Sequence, residues 1–406
     1  MSYHKVTNIQ NNIKANNLKI SFVSPNAPND FINTTIKRIL NKVKKNIEKN
    51  GDEWNNVKKT TNPYEYIHTQ IPYSKTAVSK IKPLSRAFFK LIEIVKTFDI
   101  FETCGNNPIN AFHLAEGPGG FIEAVTYMRF NKLDKYYGMT LIDNMNNEIP
   151  GWKKSEEFLQ KNKNVIIETG KDNTGNLYNP ENYEYCLKKY RNSMDFITGD
   201  GGFDFSVNYN NQETIALRLI ITQIAYAIAM QAQGGTFVLK VFDQFTHGSV
   251  DILYLLSSFY TQTYIFKPDT SRIANSERYI ICKGFNVPDS NDIYDKFSAI
   301  IRELDDKNFD GCNLHRILDI DINYFFVKNI EEINAIICQK QISNILTTLQ
   351  IIQNKEKRGE KPNTMKNKNI KKCIQWCVKH NIPHYKCGAS SNIFMGNKPT
   401  NYFANR

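Results

Sequence analysis

The chain has 406 residues, of which 41% are hydrophobic and 12% aromatic, which supports a globular protein of two or three structural units. It shows no run of about 18 apolar residues and no secretory pattern at its start, so we expect neither a membrane span nor export. The formal net charge of +12 favours a polyanionic partner such as nucleic acid, although excess lysine also serves solubility.

The N-terminal region, residues 1–80, is predicted to hold one amphipathic helix. Apolar side chains recur every three or four positions from Ile32 to Ile47, and Asn29 and Asp30 are placed to cap the helix. The opposite face is basic, with Lys37, Arg38, Lys42, Lys44 and Lys45. This face suits contact with RNA phosphates, but a solvated helix face is the commoner explanation.

Residues 81–290 alternate between strand-type and helix-type runs. Strand patterns occupy residues 110–117, 135–142, 164–169, 194–200, 235–242, 263–268 and 277–285. Helical patterns occupy residues 85–98, 121–130, 212–232 and 250–260. Alternation of this kind predicts an α/β fold, in which a mostly parallel sheet is covered by helices on both faces.

Residues 291–406 are predicted to form helices joined by polar loops, a region that offers a surface to a protein partner. Isoleucine and leucine spacing outlines a long helix from Ile330 to Ile352. Residues 354–372 are polar and basic, which indicates a linker.

A cysteine and histidine cluster lies near the C-terminus, at Cys373, Cys377, His380, His384 and Cys387. Its spacing matches no standard zinc finger, so we predict no bound metal. The eight cysteines show no dense disulfide spacing, which is typical of reduced thiols in a cytoplasmic protein.

A glycine-rich loop, His113-Leu-Ala-Glu-Gly-Pro-Gly-Gly-Phe121, follows a predicted strand and opens a predicted helix. Glycines let the backbone turn tightly and approach a ligand, and the helix N-terminus offers free N–H groups. The spacing matches neither the dinucleotide nor the phosphate-loop pattern. A nucleoside without a phosphate chain, such as S-adenosylmethionine, therefore fits better than a triphosphate, although this pattern alone also permits a plain turn.

Charged residues stand at apolar positions where polar groups are costly. Asp200, Lys240 and Glu277 lie in or at the ends of apolar strands, and Lys90 lies on the helix before the first core strand. Such groups are either structural ion pairs or parts of an active site, where perturbed ionisable groups cluster. We favour the active site.

Two lysines and two acids suit transfer to a hydroxyl group without a metal. A ribose 2′-hydroxyl must lose its proton to become a good nucleophile, and a lysine accepts that proton only if its pKa falls, which a second ammonium nearby promotes. Asp200 and Glu277 would position the lysines and hold the ribose. Attack on a methyl sulfonium leaves a neutral thioether, so positioning supplies much of the rate.

The chain resembles the FtsJ/RrmJ-type RNA ribose 2′-O-methyltransferases, and among them the Adrift-type cap-specific mRNA methyltransferases, over residues 85–285. The motifs that carry the resemblance occur in the family order: Ser85-Arg-Ala-Phe-Phe-Lys90-Leu, Glu116-Gly-Pro-Gly-Gly-Phe121, Asp172-Asn-Thr-Gly, Gly199-Asp200-Gly, Gly234-Gly-Thr-Phe-Val-Leu-Lys240, and Phe266-Lys-Pro-Asp-Thr-Ser-Arg272 through Asn275-Ser-Glu277. The resemblance implies a Rossmann-like class I methyltransferase sheet flanked by helices, S-adenosylmethionine as the cofactor, and RNA, most closely capped mRNA, as the substrate.

The resemblance carries the family's Lys-Asp-Lys-Glu tetrad over to Lys90, Asp200, Lys240 and Glu277, with Lys240 as the base. Asp172 matches the acidic position near the adenine amino group. The cofactor-binding positions that the resemblance implies are Gly117, Pro118, Gly119, Gly120, Asp172 and Asp200.

The chain departs from the family pattern at two cofactor positions. Many relatives have an acid where this chain has His113, and Glu116 is the candidate to compensate. The acid that usually ends the second strand and binds the cofactor ribose is replaced by Thr140, with Asp143 three residues further on. We therefore add Glu116, Thr140 and Asp143 to the candidate cofactor contacts.

Two further sets of residues are candidates for RNA contact. Lys267, Arg272 and Arg278 flank the last tetrad strand and are placed either to bind phosphates or to serve only as surface residues. Tyr64 and Tyr66 have the chemistry to stack on a base, but we favour packing for both.

The leading interpretation is an enzyme that methylates the ribose 2′-hydroxyl of the first or second nucleotide of capped mRNA. Two alternatives stay open: a methyltransferase of ribosomal or transfer RNA, and a non-catalytic RNA-binding scaffold with the same fold. An intact tetrad argues against the scaffold. A viral source is compatible with the cap interpretation, and would place the protein in the host cytoplasm or the virion.

Overall fold

The computed structural model describes residues 3–9, 13–24, 27, 29–102, 104–143, 149, 151–202, 211–306, 312–354 and 360–385. The strands are β1 (Tyr3–Lys5), β2 (Leu18–Val23), β3 (Asn110–Leu114), β4 (Lys135–Met139), β5 (Val165–Glu168), β6 (Met194–Gly199), β7 (Gln231–Phe242), β8 (Tyr260–Phe266), β9 (Glu277–Phe285) and β10 (Asn313–Leu318). The helices are α1 (Thr34–Glu48), α2 (Gly51–Thr61), α3 (Ala87–Phe98), α4 (Gly120–Arg129), α5 (Glu156–Lys161), α6 (Pro180–Tyr190), α7 (Gln212–Met230), α8 (His247–Phe259), α9 (Asn291–Asp306), α10 (Tyr324–Gln353) and α11 (Glu360–Lys379).

Eight of the strands form one mixed sheet in the order β1-β8-β9-β7-β6-β3-β4-β5. The five strands from β7 to β5 in this order are parallel, and β9, β8 and β1 continue the sheet with antiparallel pairing. β2 and β10 pair in a separate two-stranded sheet. The main sheet confirms the expected α/β fold, because most of its strands are parallel and are joined by helices.

The central strands of the sheet are covered on both faces and are therefore largely apolar. On β3, Ala111 joins a buried cluster with residues of α3 and α4, whereas Phe112 and Leu114 join a cluster with residues of α6, α7 and α8. On β7, Val238 and Leu239 divide between the same two clusters. Alternate side chains of a strand point to opposite faces, and two buried faces therefore produce a continuous apolar run.

Helix α7 is a largely buried covering helix. By length and composition it would be able to cross a membrane, but 78% of its most apolar window is buried inside the protein. A helix packed on all sides has no need of a polar face. Its composition is therefore that of a core helix.

The structure confirms all seven strands and all four helices predicted between residues 81 and 290. It also contains elements that the sequence did not predict, among them the short strands β1, β2 and β10 and the helices α2, α5 and α6. β1 adds to the edge of the main sheet through pairing with β8. The division of the chain into three regions at residues 80 and 290 stays a prediction.

Helix α1 is present, but its predicted cap is wrong. The helix begins after Asn33, which adopts a left-handed conformation and makes no side-chain capping bond. Asp30 instead forms an ion pair with Lys37 and bridges to the backbone of Thr246. Asp30 thus links the start of the helix to the segment after β7, whereas Asn29 contacts His315 of β10.

The predicted linker over residues 354–372 is also wrong in part. Residues 355–359 lie outside the described residues, but residues 360–379 form α11. This helix buries Cys373, Trp376 and Cys377 in the cluster that contains Tyr66 and Ile67. Its apolar residues are concentrated at one end, and the polar remainder therefore hid the helix from a composition-based prediction.

Candidate active site

The four predicted tetrad residues converge at one edge of the sheet. Asp200 directly follows β6, Lys240 lies near the end of β7, and Glu277 is the first residue of β9. Because β9 runs antiparallel to β7, its beginning lies beside the end of β7. Lys90 reaches the same edge from α3.

These residues form two buried ion pairs. The Lys90 ammonium donates to Glu277 Oε2 at 2.7 Å. The Lys240 ammonium donates to the backbone oxygen of Asp200 at 2.6 Å and lies 3.3 Å from Asp200 Oδ1. The side chains of all four residues are no more than 14% exposed. The structure therefore brings the predicted tetrad together.

Electrostatic interactions join the two pairs into one site. Burial lowers the pKa of Lys90, an effect that Glu277 opposes and that the charges of Arg86 and Lys240 reinforce. Burial alone would raise the pKa of Glu277, but Lys90 and Lys240 hold that pKa well below its ordinary value. The Glu277 carboxylate is therefore ionised, and both lysines interact with it.

The sequence analysis missed two hydroxyl groups that orient the carboxylates. Tyr279 Oη donates to Asp200 Oδ1 at 3.0 Å, and Ser271 Oγ donates to Glu277 Oε1 at 2.7 Å. Tyr279 lies two residues after Glu277 and opposite Lys240 in the register of β7 and β9. The period of two in a strand would have identified Tyr279, whereas Ser271 lies in a motif of the resemblance that gave this residue no role.

A third buried carboxylate, Glu93, fastens the loop between β8 and β9. It accepts hydrogen bonds from the backbone N–H groups of Asp269 and Thr270, at 2.7 and 3.1 Å, and from the Trp376 indole at 3.3 Å. Burial, reinforced by the charge of Asp269, raises the pKa of Glu93 to about 7. This carboxyl has only neutral donors, which is why its pKa moves in the opposite direction from that of Glu277.

The glycine-rich loop lies between β3 and α4, next to the tetrad. Glu116 Oε1 accepts from the N–H groups of Phe121 and Ile122 at 2.6 and 3.1 Å, so Glu116 caps α4. Burial and the neighbouring Asp200 raise the pKa of Glu116 well above its ordinary value. The predicted cofactor contact of Glu116 stays a prediction, and the structure gives this residue a positioning role in the loop.

Glycine is required in this loop because backbone segments pack closely. A side chain at Gly117 would place its Cβ 2.7 Å from the backbone oxygen of Gly151 and 3.1 Å from Thr140. Gly119 has a φ of +106° and forms the N-cap of α4. Gly117, Pro118, Gly119 and Gly120 therefore form a tight turn that presents backbone rather than side chains.

The loops after β4 and β5 adjoin the glycine-rich loop. The buried Thr140 follows β4, and its neighbour two residues on, Ile142, donates its N–H to Thr174 O at 2.7 Å. Asp143 is the next residue in this loop. The backbone of Gly175 approaches Thr140 so closely that a Cβ there would lie 2.0 Å from the Thr140 oxygen. The predicted positions Thr140, Asp143 and Asp172 thus lie on two loops that contact each other.

Asp172 is already engaged in hydrogen bonds within its own loop. Its Oδ1 accepts from the N–H and hydroxyl of Thr174 and from Asn182, and its Oδ2 accepts from Asn179. Burial opposes ionisation, but these hydrogen bonds outweigh it and hold the pKa of Asp172 at about 2. Asp172 is exposed, and a carboxylate oxygen accepts more than one hydrogen bond, so Oδ2 has the chemistry to accept from an amino group as well as from Asn179.

The chemistry of these loops fits a cationic nucleoside better than a nucleotide with a phosphate chain. They offer backbone groups at the glycine-rich turn, the Thr140 hydroxyl, and the carboxylates of Asp143 and Asp172. Asp200 adds a carboxylate on the tetrad side. Carboxylates repel phosphate but tolerate a positively charged sulfonium, so the residues present fit S-adenosylmethionine.

The phosphate contacts of Lys267 and Arg278 stay a prediction, and the structure shows both side chains engaged with other parts of the protein. Lys267 uses its three N–H groups on Asn275 O, Asn275 Oδ1 and Glu277 O, at 2.6, 2.9 and 2.7 Å. Arg278 is fully buried and donates to Asn334 of α10 at 2.7 Å. Both side chains therefore hold protein segments together.

Arg278 belongs to a buried charge network that joins four elements. Its guanidinium lies 3.4 Å from the carboxylate of Asp243, which follows β7, and Asp243 also pairs with Lys44 of α1 at 3.0 Å. Asn334 contributes the contact from α10. The network thus connects α1 and α10 to the strands of the tetrad.

Arg272 keeps a partly exposed side chain but is held by an acid. Its guanidinium donates twice to the Glu65 carboxylate, at 3.0 and 2.6 Å. Burial would raise the pKa of Glu65, but Arg272 outweighs it and holds that pKa at about 2. Contact of Arg272 with RNA stays a prediction.

The aromatic and C-terminal candidates serve packing as far as the structure describes them. Tyr66 is buried, whereas Tyr64 lines a cavity of about 440 Å³ beside Asp269. His380 stacks on Trp376 with ring centroids 4.4 Å apart. Cys387 lies outside the described residues, within which no three His, Cys, Asp or Glu side chains group as metal ligands.

Comparisons with known proteins agree with the site's geometry. The sequence profile of the FtsJ-like methyltransferase family matches residues 83–285, half of the chain. The chain is 32% identical over 249 residues to cap-specific mRNA (nucleoside-2′-O-)-methyltransferase 1 of Mus musculus, covering 58% of this chain and 29% of that protein. It is 31% identical over 265 residues to cap-specific mRNA (nucleoside-2′-O-)-methyltransferase 2 of Mus musculus, covering 61% and 33%.

A third relative is cap-specific mRNA (nucleoside-2′-O-)-methyltransferase 1 of Dictyostelium discoideum. It is 32% identical over 302 residues, covering 70% of this chain and 38% of that protein. The chain therefore spans about a third of the length of these curated relatives.

Proposed function

Because the chain belongs to the FtsJ-like methyltransferase family, we propose that it transfers a methyl group from S-adenosylmethionine to a ribose 2′-hydroxyl of RNA, at the first or second nucleotide of capped mRNA. The names of the curated relatives support the cap-proximal substrate. The chain is almost equally identical in sequence to methyltransferase 1 and to methyltransferase 2 of Mus musculus. Sequence similarity therefore does not decide between the first and the second nucleotide. The observation that carries the proposal is the pair of buried contacts, Lys90 with Glu277 and Lys240 with Asp200, beside the glycine-rich loop.

In the proposed reaction Lys240 is the base. Its Nζ, in the neutral form, takes the proton of the 2′-hydroxyl as the oxygen bonds to the methyl carbon, and the resulting ammonium is stabilised by Asp200 at 3.3 Å. When bound, S-adenosylmethionine supplies the methyl group on a positively charged sulfur, which becomes a neutral thioether. Gly202 leaves the space beside Lys240 open, since a Cβ there would lie 3.0 Å from the ammonium.

Lys90 and Glu277 hold the ribose side of the site. Lys90 lies 2.7 Å from the Glu277 carboxylate, whereas Lys240 lies 3.3 Å from the Asp200 carboxylate, and this looser ion pair favours Lys240 as the group that exchanges a proton. Ser271 fixes the second oxygen of Glu277, and Tyr279 fixes Asp200. These orienting bonds keep the acceptor geometry constant during transfer.

The proposal is tested with tritium-labelled S-adenosylmethionine and two RNAs of the same sequence, one capped and one uncapped. We expect label on the capped RNA, located by nuclease digestion on the ribose of a cap-proximal nucleotide. Lys240→Ala should abolish the label. Lys135→Ala is the matched control, because Lys135 is exposed at the opposite edge of the sheet, where β4 begins.

Each other result excludes part of the proposal. Equal labelling of the two RNAs would remove the cap assignment and favour a ribosomal or transfer RNA substrate. Label on a base would contradict ribose chemistry. RNA binding without any label would indicate a non-catalytic scaffold.

We also propose a reducing, cytoplasmic location. No disulfide joins the cysteines in the part of the chain that the structure describes, which supports a compartment where thiols stay reduced. Thiol counting on the protein isolated from its source checks this location, and a disulfide would contradict it. A protein partner on the C-terminal helices stays a prediction.

A further inference from the structure

Helix α1 carries cations of two kinds. Lys37 pairs with Asp30, and the buried Lys44 pairs with Asp243 at 3.0 Å. Three other cations on the helix are exposed, and none of them makes a hydrogen bond or ion pair with any residue in the described ranges: Arg38, Lys42 and Lys45. Lys37 and Lys44 attach the helix to the rest of the protein, whereas the three exposed cations make no such contact with the described residues.

The three exposed cations share one face of the helix. They follow each other at spacings of four and three residues, and therefore extend over about 10 Å of the helix axis. An open groove of about 520 Å³ lies along this face, and its lining residues are Asp30, Thr34, Arg38, Asn41, Lys42 and Lys45. The groove has one carboxylate, Asp30, and Lys37 already neutralises it. We call this surface the α1 groove.

The α1 groove begins next to the tetrad edge of the sheet. The N–H groups of Phe31 and Ile32, just before the helix, donate to the backbone oxygen of Phe245 at 2.7 and 3.0 Å. Asp243, the partner of Lys44, follows Lys240 by three residues. The start of the helix and its middle are thus both fixed to the segment that leaves the catalytic strand.

We propose that the α1 groove binds the sugar–phosphate backbone of the RNA on the 3′ side of the methylated nucleotide. The direction rests on the proposed function, because a nucleotide next to a cap has the body of the transcript on its 3′ side only. The groove lies outside residues 83–285, the part that matches the family. It is therefore a feature that this chain adds to the methyltransferase core.

The lining of the groove favours a backbone over a base or a folded protein surface. A single strand presents regularly spaced phosphates, which suit a row of flexible cations. None of the six lining residues is aromatic, so the groove provides no stacking platform for bases. Binding should therefore depend on RNA length and salt, and not on sequence.

The test compares two charge-matched variants in RNA binding without cofactor. The α1 variant is Arg38→Ala/Lys42→Ala/Lys45→Ala. The control is Lys132→Ala/Lys135→Ala/Lys163→Ala, which removes three exposed cations from the opposite edge of the sheet. Fluorescence anisotropy measures the Kd for capped RNAs of about 4 and about 20 nucleotides, lengths that bracket the site size of a single-strand groove.

We expect the wild type and the control to bind the longer RNA at least about five-fold more tightly than the shorter one, and the α1 variant to lose this difference. The slope of log Kd against log salt should fall by about 2 in the α1 variant, since each lost phosphate contact on a single strand removes about 0.7. Thermal unfolding should be the same for all three proteins, because the substituted side chains are exposed.

Equal affinity of the wild type for the two RNAs would overturn the inference. So would equal binding of the long RNA by the α1 variant and the control, the result expected of a solvated face. Methyl transfer to the short capped RNA is a separate measurement. Its absence in the wild type would contradict the proposed function, while the anisotropy would still decide whether the groove binds RNA.

Discussion

The tetrad and the α1 groove contain the same types of cation in opposite environments. Lys90 and Lys240 are buried, and each contacts a carboxylate. The cations of the α1 groove are exposed and make no ion pair within the described part of the chain. A buried charge without its partner is costly, whereas water and salt screen an exposed charge. A single substitution in the tetrad should therefore change activity or stability strongly. In the α1 groove, RNA affinity should depend on the summed effect of several cations.

The largest expected effect comes from a substitution that keeps the positive charge of Lys240 but removes its ability to accept a proton. Lys240→Arg keeps a cation beside Asp200, but a guanidinium does not act as a base at neutral pH. We expect single-turnover methyl transfer to slow by roughly 10²–10⁴-fold, the usual contribution of a general base. RNA binding should be unchanged, and Lys135→Arg serves as the control. Near-normal transfer by Lys240→Arg would mean that Lys240 acts only through its charge.

The next effect concerns stability. Glu277→Gln leaves the Lys90 ammonium buried without a carboxylate. Loss of one partner of a buried ion pair costs about 3–5 kcal/mol, which urea unfolding measures. The double variant Lys90→Met/Glu277→Gln should regain most of this free energy of unfolding, but no activity. A double variant as unstable as the single one would show that the pair is not coupled.

A pH effect follows from Glu93, a buried carboxyl that forms no ion pair with the residues that the structure describes. Its pKa is about 7 in the folded protein, against an ordinary value of 4.5. The folded state thus holds this proton more tightly than the unfolded chain does. The stabilisation is complete below pH 4.5 and is lost as the pH rises through 7.

Glu93→Gln should remove this decline in the free energy of unfolding between pH 4.5 and 7. Denaturant unfolding at several pH values measures the slope, and the exposed Glu102→Gln is the control. An unchanged slope in Glu93→Gln would assign the pH dependence to other groups.

The smallest expected effect is that of one groove cation. Lys42→Ala should weaken binding of the long RNA only about two-fold at physiological salt, and less at higher salt, because the lost contact is exposed and screened. Anisotropy titrations at several salt concentrations measure the effect. A large loss that does not depend on salt would mean that Lys42 makes a specific, desolvated contact, unlike its neighbours on the helix.

The sequence was most informative where burial constrains it. Continuous apolar runs identified the strands of the sheet from β3 to β9, and charged residues within those runs identified Asp200, Lys240 and Glu277. A charge survives in an apolar strand only if it has a partner or a function, so its position carries information.

The sequence was least informative about surfaces and long-range partners. Arg278 and Lys267 have the positive charge expected of RNA contacts. In the structure, however, Arg278 donates to Asn334 and Lys267 donates to Asn275. Neither partner can be inferred from local spacing, since Asn334 lies 56 residues away from Arg278. The short edge strand β1 was missed for a related reason, because three residues paired with a distant strand leave no periodic pattern.

The charge network around Asp243 has a practical consequence for shortening the protein. A version cut to residues 83–285 would keep Asp243 and Arg278 but lose Lys44 and Asn334. Asp243 and Arg278 would then keep only each other, on a newly exposed surface next to the strands that carry Lys240 and Glu277. We therefore expect a shortened protein to be more stable when it retains both flanking helices, α1 and α10.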